Sequence, residues 1–128
     1  MTRKEVREQL FQLVFELCFV GAKNEMSLSL ALEKIDSDVE KKYLSDVYLG
    51  IADKYDELTK LICSKAQGFA LDRIFKVDLA IMLVALYEIK YYNIPTAVAV
   101  NEAVNLAKKY STEKSANFVN GVLAGLVN

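Results

Sequence analysis

The chain has 128 residues, 53% of them apolar, with one proline, five glycines and a formal net charge of −1 at neutral pH. This composition fits one globular domain that buries roughly 65–70% of its unfolded surface, and it excludes a disordered or collagen-like chain. The longest apolar run, nine residues from Leu79 to Tyr87, is far short of the ~20 that span a membrane, and no signal-type segment opens the chain, so we expect a cytoplasmic protein without membrane contact.

The first predicted helix runs from Thr2, its N-cap, to about Val20. Glu5 stands three residues after Thr2 and completes a capping box, and Gly21 provides the stop. The polar positions form one narrow stripe, Gln9, Gln12 and Glu16. The remainder from Leu10 onward is apolar, which predicts a helix that is buried on two sides, between two halves of the molecule.

Two further helical patterns follow in the first half of the chain. Ser27 is a candidate N-cap for a short second helix that turns Leu28 and Leu32 inward. Apolar residues then recur at spacings of three and four from Asp38 to Ala66. Gly50 interrupts this stretch, so we expect either a bend or a closely packed neighbour there.

Gly68 marks a division, after which a one-turn segment, residues 71–75, precedes an apolar helix over Val77–Tyr92. Pro95 then opens a helix over Thr96–Tyr110, and Ser111 or Thr112 caps a last helix that ends near Val127. We expect an all-α single domain of about seven helices, arranged as two small packed helical bundles over residues 1–67 and 68–128.

The residues offer little for catalysis or metal binding. Histidine is absent, and the chain contains neither a nucleophile elbow nor a glycine-rich phosphate loop. Cys18 and Cys63 lie in apolar helical patterns without a CxxC pair, so we expect reduced, buried thiols and no zinc site. The sequence predicts a protein that is not an enzyme and binds no cofactor or metal.

Basic residues gather in two places. Arg3 and Arg7 lie one helical turn apart and share a face, where they could neutralise neighbouring phosphates. A second patch combines ammonium groups with rings on which unpaired bases can stack; it comprises Lys108, Lys109, Tyr110, Lys114 and Phe118. The alternative is a solvated, frayed first turn and, for Phe118, a place in the core.

The second half of the chain carries a family resemblance. Six short matches occur in order, VD, YE, IP, VNEAV, LAK.YS and FVNGVL, between Val77 and Leu123. This pattern resembles the NusB family of transcription antitermination factors. The resemblance implies a non-catalytic adaptor that binds single-stranded boxA-type RNA together with a small-subunit ribosomal protein, NusE, within the transcription elongation complex.

The resemblance also assigns residues to surfaces. It assigns Arg3, Lys4, Arg7 and Gln12 to RNA binding, and the second basic patch adds Lys108, Tyr110, Lys114 and Phe118 as RNA-binding candidates. Phe15 and Asp78 would contact the ribosomal protein, together with Leu83, which replaces an arginine common in the family. Asn101, Glu102, Asn120 and Gly121 match the family best, and we assign them to folding: Gly121 to a close helix contact and Asn120 to a backbone bond.

A second interpretation stays open. Typical nucleic-acid binders are basic, whereas this chain has a net charge of −1. With the family arginine also missing at Leu83, the chain could be a protein-interaction module on the same fold that no longer binds RNA.

Overall fold

The structure is a computed structural model that describes residues 1–127. It contains seven α-helices and a one-turn 3₁₀ helix, with no strand among these residues. The helices are α1 (Arg3–Val20), α2 (Glu25–Glu33), α3 (Asp38–Asp53), α4 (Tyr55–Lys65), α5 (Lys76–Tyr91), α6 (Thr96–Tyr110) and α7 (Glu113–Val127), and the 3₁₀ helix is Leu71–Arg73. The predicted all-α fold with about seven helices is confirmed.

Local side chains explain where the helices begin and end. The Thr2 capping box is present, and Gly21 ends α1 in a left-handed conformation with φ 86°. Thr112 caps α7, because its hydroxyl accepts the backbone N–H of Ser115 at 3.0 Å. The expected cap at Ser27 is wrong. The side chain of Asn24 caps α2 by accepting the backbone N–H of Ser27 at 3.0 Å, so Ser27 lies inside the helix.

Helix α5 forms the centre of the molecule. It packs against α1, α3, α4, α6 and α7, and every residue from Asp78 to Leu86 is buried. Because α5 is surrounded by other helices, it needs no polar face, which accounts for its unbroken apolar run. Helix α1 packs against both α3 and α5, as its apolar pattern predicts. The division into two bundles at Gly68 stays a prediction.

The long periodic stretch forms two helices, α3 and α4, that meet at Lys54. Gly50 lies within α3 and does not break it. A Cβ built at Gly50 would overlap the ring and hydroxyl of Tyr87 on α5. Of the two expectations for this glycine, the close neighbour is therefore the correct one.

We expect Gly50→Ala to destabilise the protein by about 1–3 kcal/mol, the usual cost of overpacking. Alanine favours helix by about 1 kcal/mol over glycine, so a net loss would show that the displaced Tyr87 ring dominates. Thermal unfolding monitored by circular dichroism measures the effect. Tyr87→Ala in the same chain removes the obstacle and should reverse the sign of the Gly50→Ala step, and an unchanged penalty in that background would contradict the explanation.

The two cysteines differ in burial. Both are free, and Cys18 is buried, with desolvation raising the pKa of its thiol to about 11. Cys63 is only half-buried, which corrects the expectation that both would be enclosed. It lies on α4, which packs on the core through Leu58 and Ile62 and leaves the flank that carries Cys63 partly open to solvent. Among residues 1–127, no helix is long and apolar enough to cross a membrane.

Candidate RNA and partner interface

Arg7 on α1 belongs to a buried polar network that joins α3 and α5 and also reaches Glu102 on α6, 3.9 Å from its Nη1. Its side chain is only 5% exposed, and its Nη2 donates to Oε2 of Glu88 on α5 at 2.8 Å. The hydroxyl of Tyr43 on α3 donates to the same Oε2, also at 2.8 Å. This corrects the expectation that Arg7 neutralises a phosphate on the surface, because its charge is already paired inside the protein.

The electrostatics of the network follow from this pairing. Burial by itself would lower the pKa of the Arg7 guanidinium, but the bond to Glu88 and the charges of Glu88 and Glu102 together outweigh it, so the pKa is raised. Arg3 sits above the network, with its guanidinium carbon 3.9 Å from the Tyr43 ring centroid and its Nε bonded to Glu40. A third of the Arg3 side chain is still exposed. Arg3, although paired with Glu40, therefore keeps part of its side chain at the surface, whereas Arg7 is enclosed.

A cleft between α1 and α6 brings together residues from the two predicted basic patches. We call it the α1–α6 cleft; it encloses about 230 Å³ and is lined by Lys4, Arg7, Glu8, Glu102, Asn105, Leu106 and Lys109. Oε1 of Glu8 accepts from Nζ of Lys109 at 2.7 Å, and Oε2 accepts from the Tyr110 hydroxyl at 2.9 Å. Sequence reasoning assigned Lys109 to the second basic patch and did not predict its pairing with Glu8.

Two other residues of the second patch, Lys114 and Phe118, line a neighbouring cavity. The α7 cavity, as we term it, measures about 490 Å³ and is lined by Phe69, Arg73, Ile74, Phe75, Asp78, Thr112, Lys114, Ser115 and Phe118. Phe118 is half-buried and packs edge-on against Phe69, with ring centroids 5.5 Å apart. Lys109, near the end of α6, lines the α1–α6 cleft, and Thr112, just before α7, lines the cavity. The short turn between α6 and α7 therefore lies between the two.

The remaining predicted RNA residues are exposed. Gln12 lies on the outer side of α1, and Lys108 lines a shallow groove between α6 and α7.

Asn101 and Asn120, two of the residues assigned to folding, line the same groove, and both are exposed. A Cβ at Gly121 would meet nothing within 4 Å. The folding roles predicted for Asn120 and Gly121 are therefore wrong, since both residues face solvent on the outer side of α7.

An aromatic row runs along α1. Phe11, Phe15 and Phe19 follow each other one turn apart, with ring centroids separated by 6.4 Å and 5.9 Å. Phe11 also contacts Tyr110 of α6 at 5.1 Å. Phe15 is half-buried, whereas Phe19 is 72% exposed. The row thus leads from the α1–α6 cleft to an exposed aromatic ring that the sequence pattern had assigned to the interior.

Asp78 and Leu83, by contrast, lie inside the molecule. Leu83 is 0% exposed and belongs to the main core, which corrects its expected contact with a partner. Asp78 is 3% exposed and its Oδ2 accepts from the Ser115 hydroxyl at 3.0 Å, so its expected direct contact is corrected as well. Desolvation raises the pKa of the Asp78 carboxyl. Leu83 has no exposed surface, and Asp78 reaches only the wall of the α7 cavity.

The sequence matches one family model over nearly its whole length, residues 4–128, and that model is the NusB family. The chain belongs to the NusB family. The transcription antitermination protein NusB of Agathobacter rectalis is 42% identical to it over 129 residues, covering 97% of this chain and 98% of that protein. The corresponding protein of Listeria monocytogenes is 37% identical over 127 residues, covering 98% and 96%.

The fold comparison agrees with the family assignment. The solved structure of T. maritima NusB superposes with a TM-score of 0.86 at 27% identity, covering 98% of this chain and 90% of that one. The resemblance stated from the sequence is confirmed, and so is the assignment to transcription antitermination. Since NusB proteins are antitermination factors, a non-catalytic family, the chain is not an enzyme.

Proposed function

We propose that this NusB-family chain binds single-stranded RNA of the boxA type jointly with the small-subunit ribosomal protein NusE, as an adaptor of the transcription elongation complex in the cytoplasm. The observation that carries the proposal is the juxtaposition of two segments about 100 residues apart in the chain. The first turns of α1 and the last turn of α6 meet at the α1–α6 cleft, where Lys4, Lys109 and Tyr110 come together.

The chemistry of this surface suits an RNA strand. Arg3, Lys4 and Lys108 are at least partly exposed and supply cations for phosphates, and Tyr110 supplies an exposed ring. Across the α6–α7 turn, Lys114 and Arg73 flank the rings that line the α7 cavity, Phe69, Phe75 and Phe118. A strand that crosses this turn would meet cations and stacking surfaces alternately. Binding of this kind needs only local patches, so a net charge of −1 does not oppose it.

The aromatic row suits the protein partner. Phe15 and Phe19 place apolar rings on the same helix that carries Arg3 and Lys4, and aromatic side chains are enriched at protein interfaces. A partner seated there would lie beside the RNA strand and could hold it in place, which fits joint binding of RNA and the ribosomal protein.

The test compares RNA binding of wild type and Lys4→Gln/Lys108→Gln by fluorescence anisotropy, with a boxA oligonucleotide, over 50–200 mM salt and with the ribosomal protein present. Each lost phosphate contact lowers the slope of log K against log salt by about 0.7 on a single strand, so the double variant should lose about 1.4. The same relation predicts affinity about 25-fold weaker near 0.1 M salt.

Lys34→Gln/Lys60→Gln is the matched control, because both lysines are exposed on other parts of the surface and the charge change is equal. Its affinity should fall much less. Equal losses in the two double variants would mean that only net charge matters and would remove the cleft from the proposal. If wild type binds the ribosomal protein but no RNA at any salt, the chain is an interaction module instead.

A further inference from the structure

Glu8 occupies the centre of the basic surface. Its carboxylate accepts from Lys109 Nζ at 2.7 Å and 3.0 Å, and from the Tyr110 hydroxyl at 2.9 Å. Its side chain is 22% exposed, compared with 58% for Lys109. The bond from Lys109 holds the pKa of the Glu8 carboxyl below its ordinary value, and the charge of Lys4 acts in the same direction. At neutral pH the group is therefore an anion that two neighbours, Lys109 and Tyr110, bond and that a third, Lys4, stabilises by its charge.

These three groups are the kind that bind a phosphate. The ammonium group of Lys109 and the hydroxyl of Tyr110 donate to one oxyanion, and the ammonium group of Lys4 lies nearby. Proteins contact the phosphates of a nucleic-acid backbone with donors of this kind. The carboxylate of Glu8 bonds Lys109 and Tyr110 from within the chain, and Lys4 acts on it through its charge alone. Glu5, one residue beyond Lys4, is engaged in the Thr2 capping box and takes no part in the cleft.

We propose that the Glu8 carboxylate stands in a phosphate subsite formed by Lys4, Lys109 and Tyr110, and that an RNA phosphate must displace it to bind there. The inference rests on the proposed RNA binding and names the subsite and the competitor within it. The carboxylate and the phosphate compete for the same donors, so Glu8 lowers the affinity for RNA. A ligand with one weakly held anionic group does not displace the carboxylate, whereas an RNA strand that is also bound at neighbouring phosphates does.

Glu8→Gln tests the subsite, because glutamine keeps the shape and loses the charge. RNA affinity by anisotropy should rise about 3- to 10-fold at 50 mM salt, and the salt slope should steepen by about 0.7 as one more phosphate contact forms. The advantage over wild type should therefore shrink by about 2- to 3-fold between 50 and 200 mM salt. In a Lys109→Gln background, the same Glu8→Gln step should have little effect, because the principal donor is gone.

Glu33→Gln is the control for net charge, since Glu33 is exposed on α2. An equal gain from Glu33→Gln would reduce the effect to overall charge and overturn the subsite. Weaker binding by Glu8→Gln would show that Glu8 instead positions Lys109 and Tyr110 for RNA, and would also overturn it. Failure of every variant and of wild type to bind RNA would remove the proposed function itself, whereas unchanged affinity in Glu8→Gln alone would remove only this inference.

Discussion

Arg7→Ala should lower the free energy of unfolding by about 3–5 kcal/mol, the usual loss when one partner of a buried ion pair is removed. The reason is that Glu88, 1% exposed, would keep a carboxylate inside the protein with only the Tyr43 hydroxyl to bond it. For a domain of this size the melting temperature should fall by roughly 10–20 °C. Differential scanning calorimetry measures the change.

Two further variants separate the loss of the buried ion pair from the loss of a surface charge. Arg3→Ala removes a guanidinium whose ion pair with Glu40 is partly exposed, and it should cost only about 0–1 kcal/mol. Arg7→Met/Glu88→Leu replaces both buried charges by apolar groups and should recover part of the loss, less the cost of leaving the Tyr43 hydroxyl unpaired, about 1–3 kcal/mol. If Arg7→Ala instead melts like wild type and loses RNA affinity, Arg7 contacts RNA as the sequence pattern suggested.

Phe19→Ala should weaken binding of the ribosomal protein by about 30-fold or more, equivalent to about 2 kcal/mol, the threshold for a dominant interface residue. Phe19 is the most exposed ring of the aromatic row, at 72%. A ring that contacts so little of its own protein adds little to folding, so stability should change by no more than about 0.5 kcal/mol. Titration calorimetry against the ribosomal protein, with a melting curve of each variant, measures both quantities.

Val39→Ala is the control for this substitution, because Val39 is an exposed apolar residue at the start of α3. It should leave the affinity unchanged. Binding that is unaffected by Phe19→Ala but lost in a variant of the α7 cavity, such as Phe75→Ala, would move the partner surface to that side of the molecule.

The fold could be read from the sequence because its signals are local. Thr2, Glu5 and Gly21 define α1 through contacts within a few residues, and periodicity defines the remaining helices. The end of α3 was missed because no breaker residue marks Lys54. The α2 cap was missed because Asn24 and Ser27 are both good capping residues and only the backbone path decides between them.

The candidate site was harder to predict, since the roles of its residues depend on distant parts of the chain. Arg7 carries a guanidinium that is suited to binding phosphate. In the fold this group is paired with Glu88, which lies 81 residues away in the sequence. Glu8 and Lys109, which are 101 residues apart, likewise show no local sign of pairing. The family resemblance correctly indicated the family. It did not indicate that Leu83 and Asp78, both on α5, would be buried by the helices that surround α5.

The sequence separation between Arg7 and Glu88 delays the formation of their ion pair during synthesis. During synthesis at about 5–20 residues per second, the 81 residues that follow Arg7, up to and including Glu88, take roughly 4–16 s to assemble. Through that interval the apolar side of α1 has no α5 to cover it, and the guanidinium of Arg7 lacks its carboxylate. Nascent chains should therefore depend on the ribosome surface or a chaperone to shield this first helix until the central one emerges.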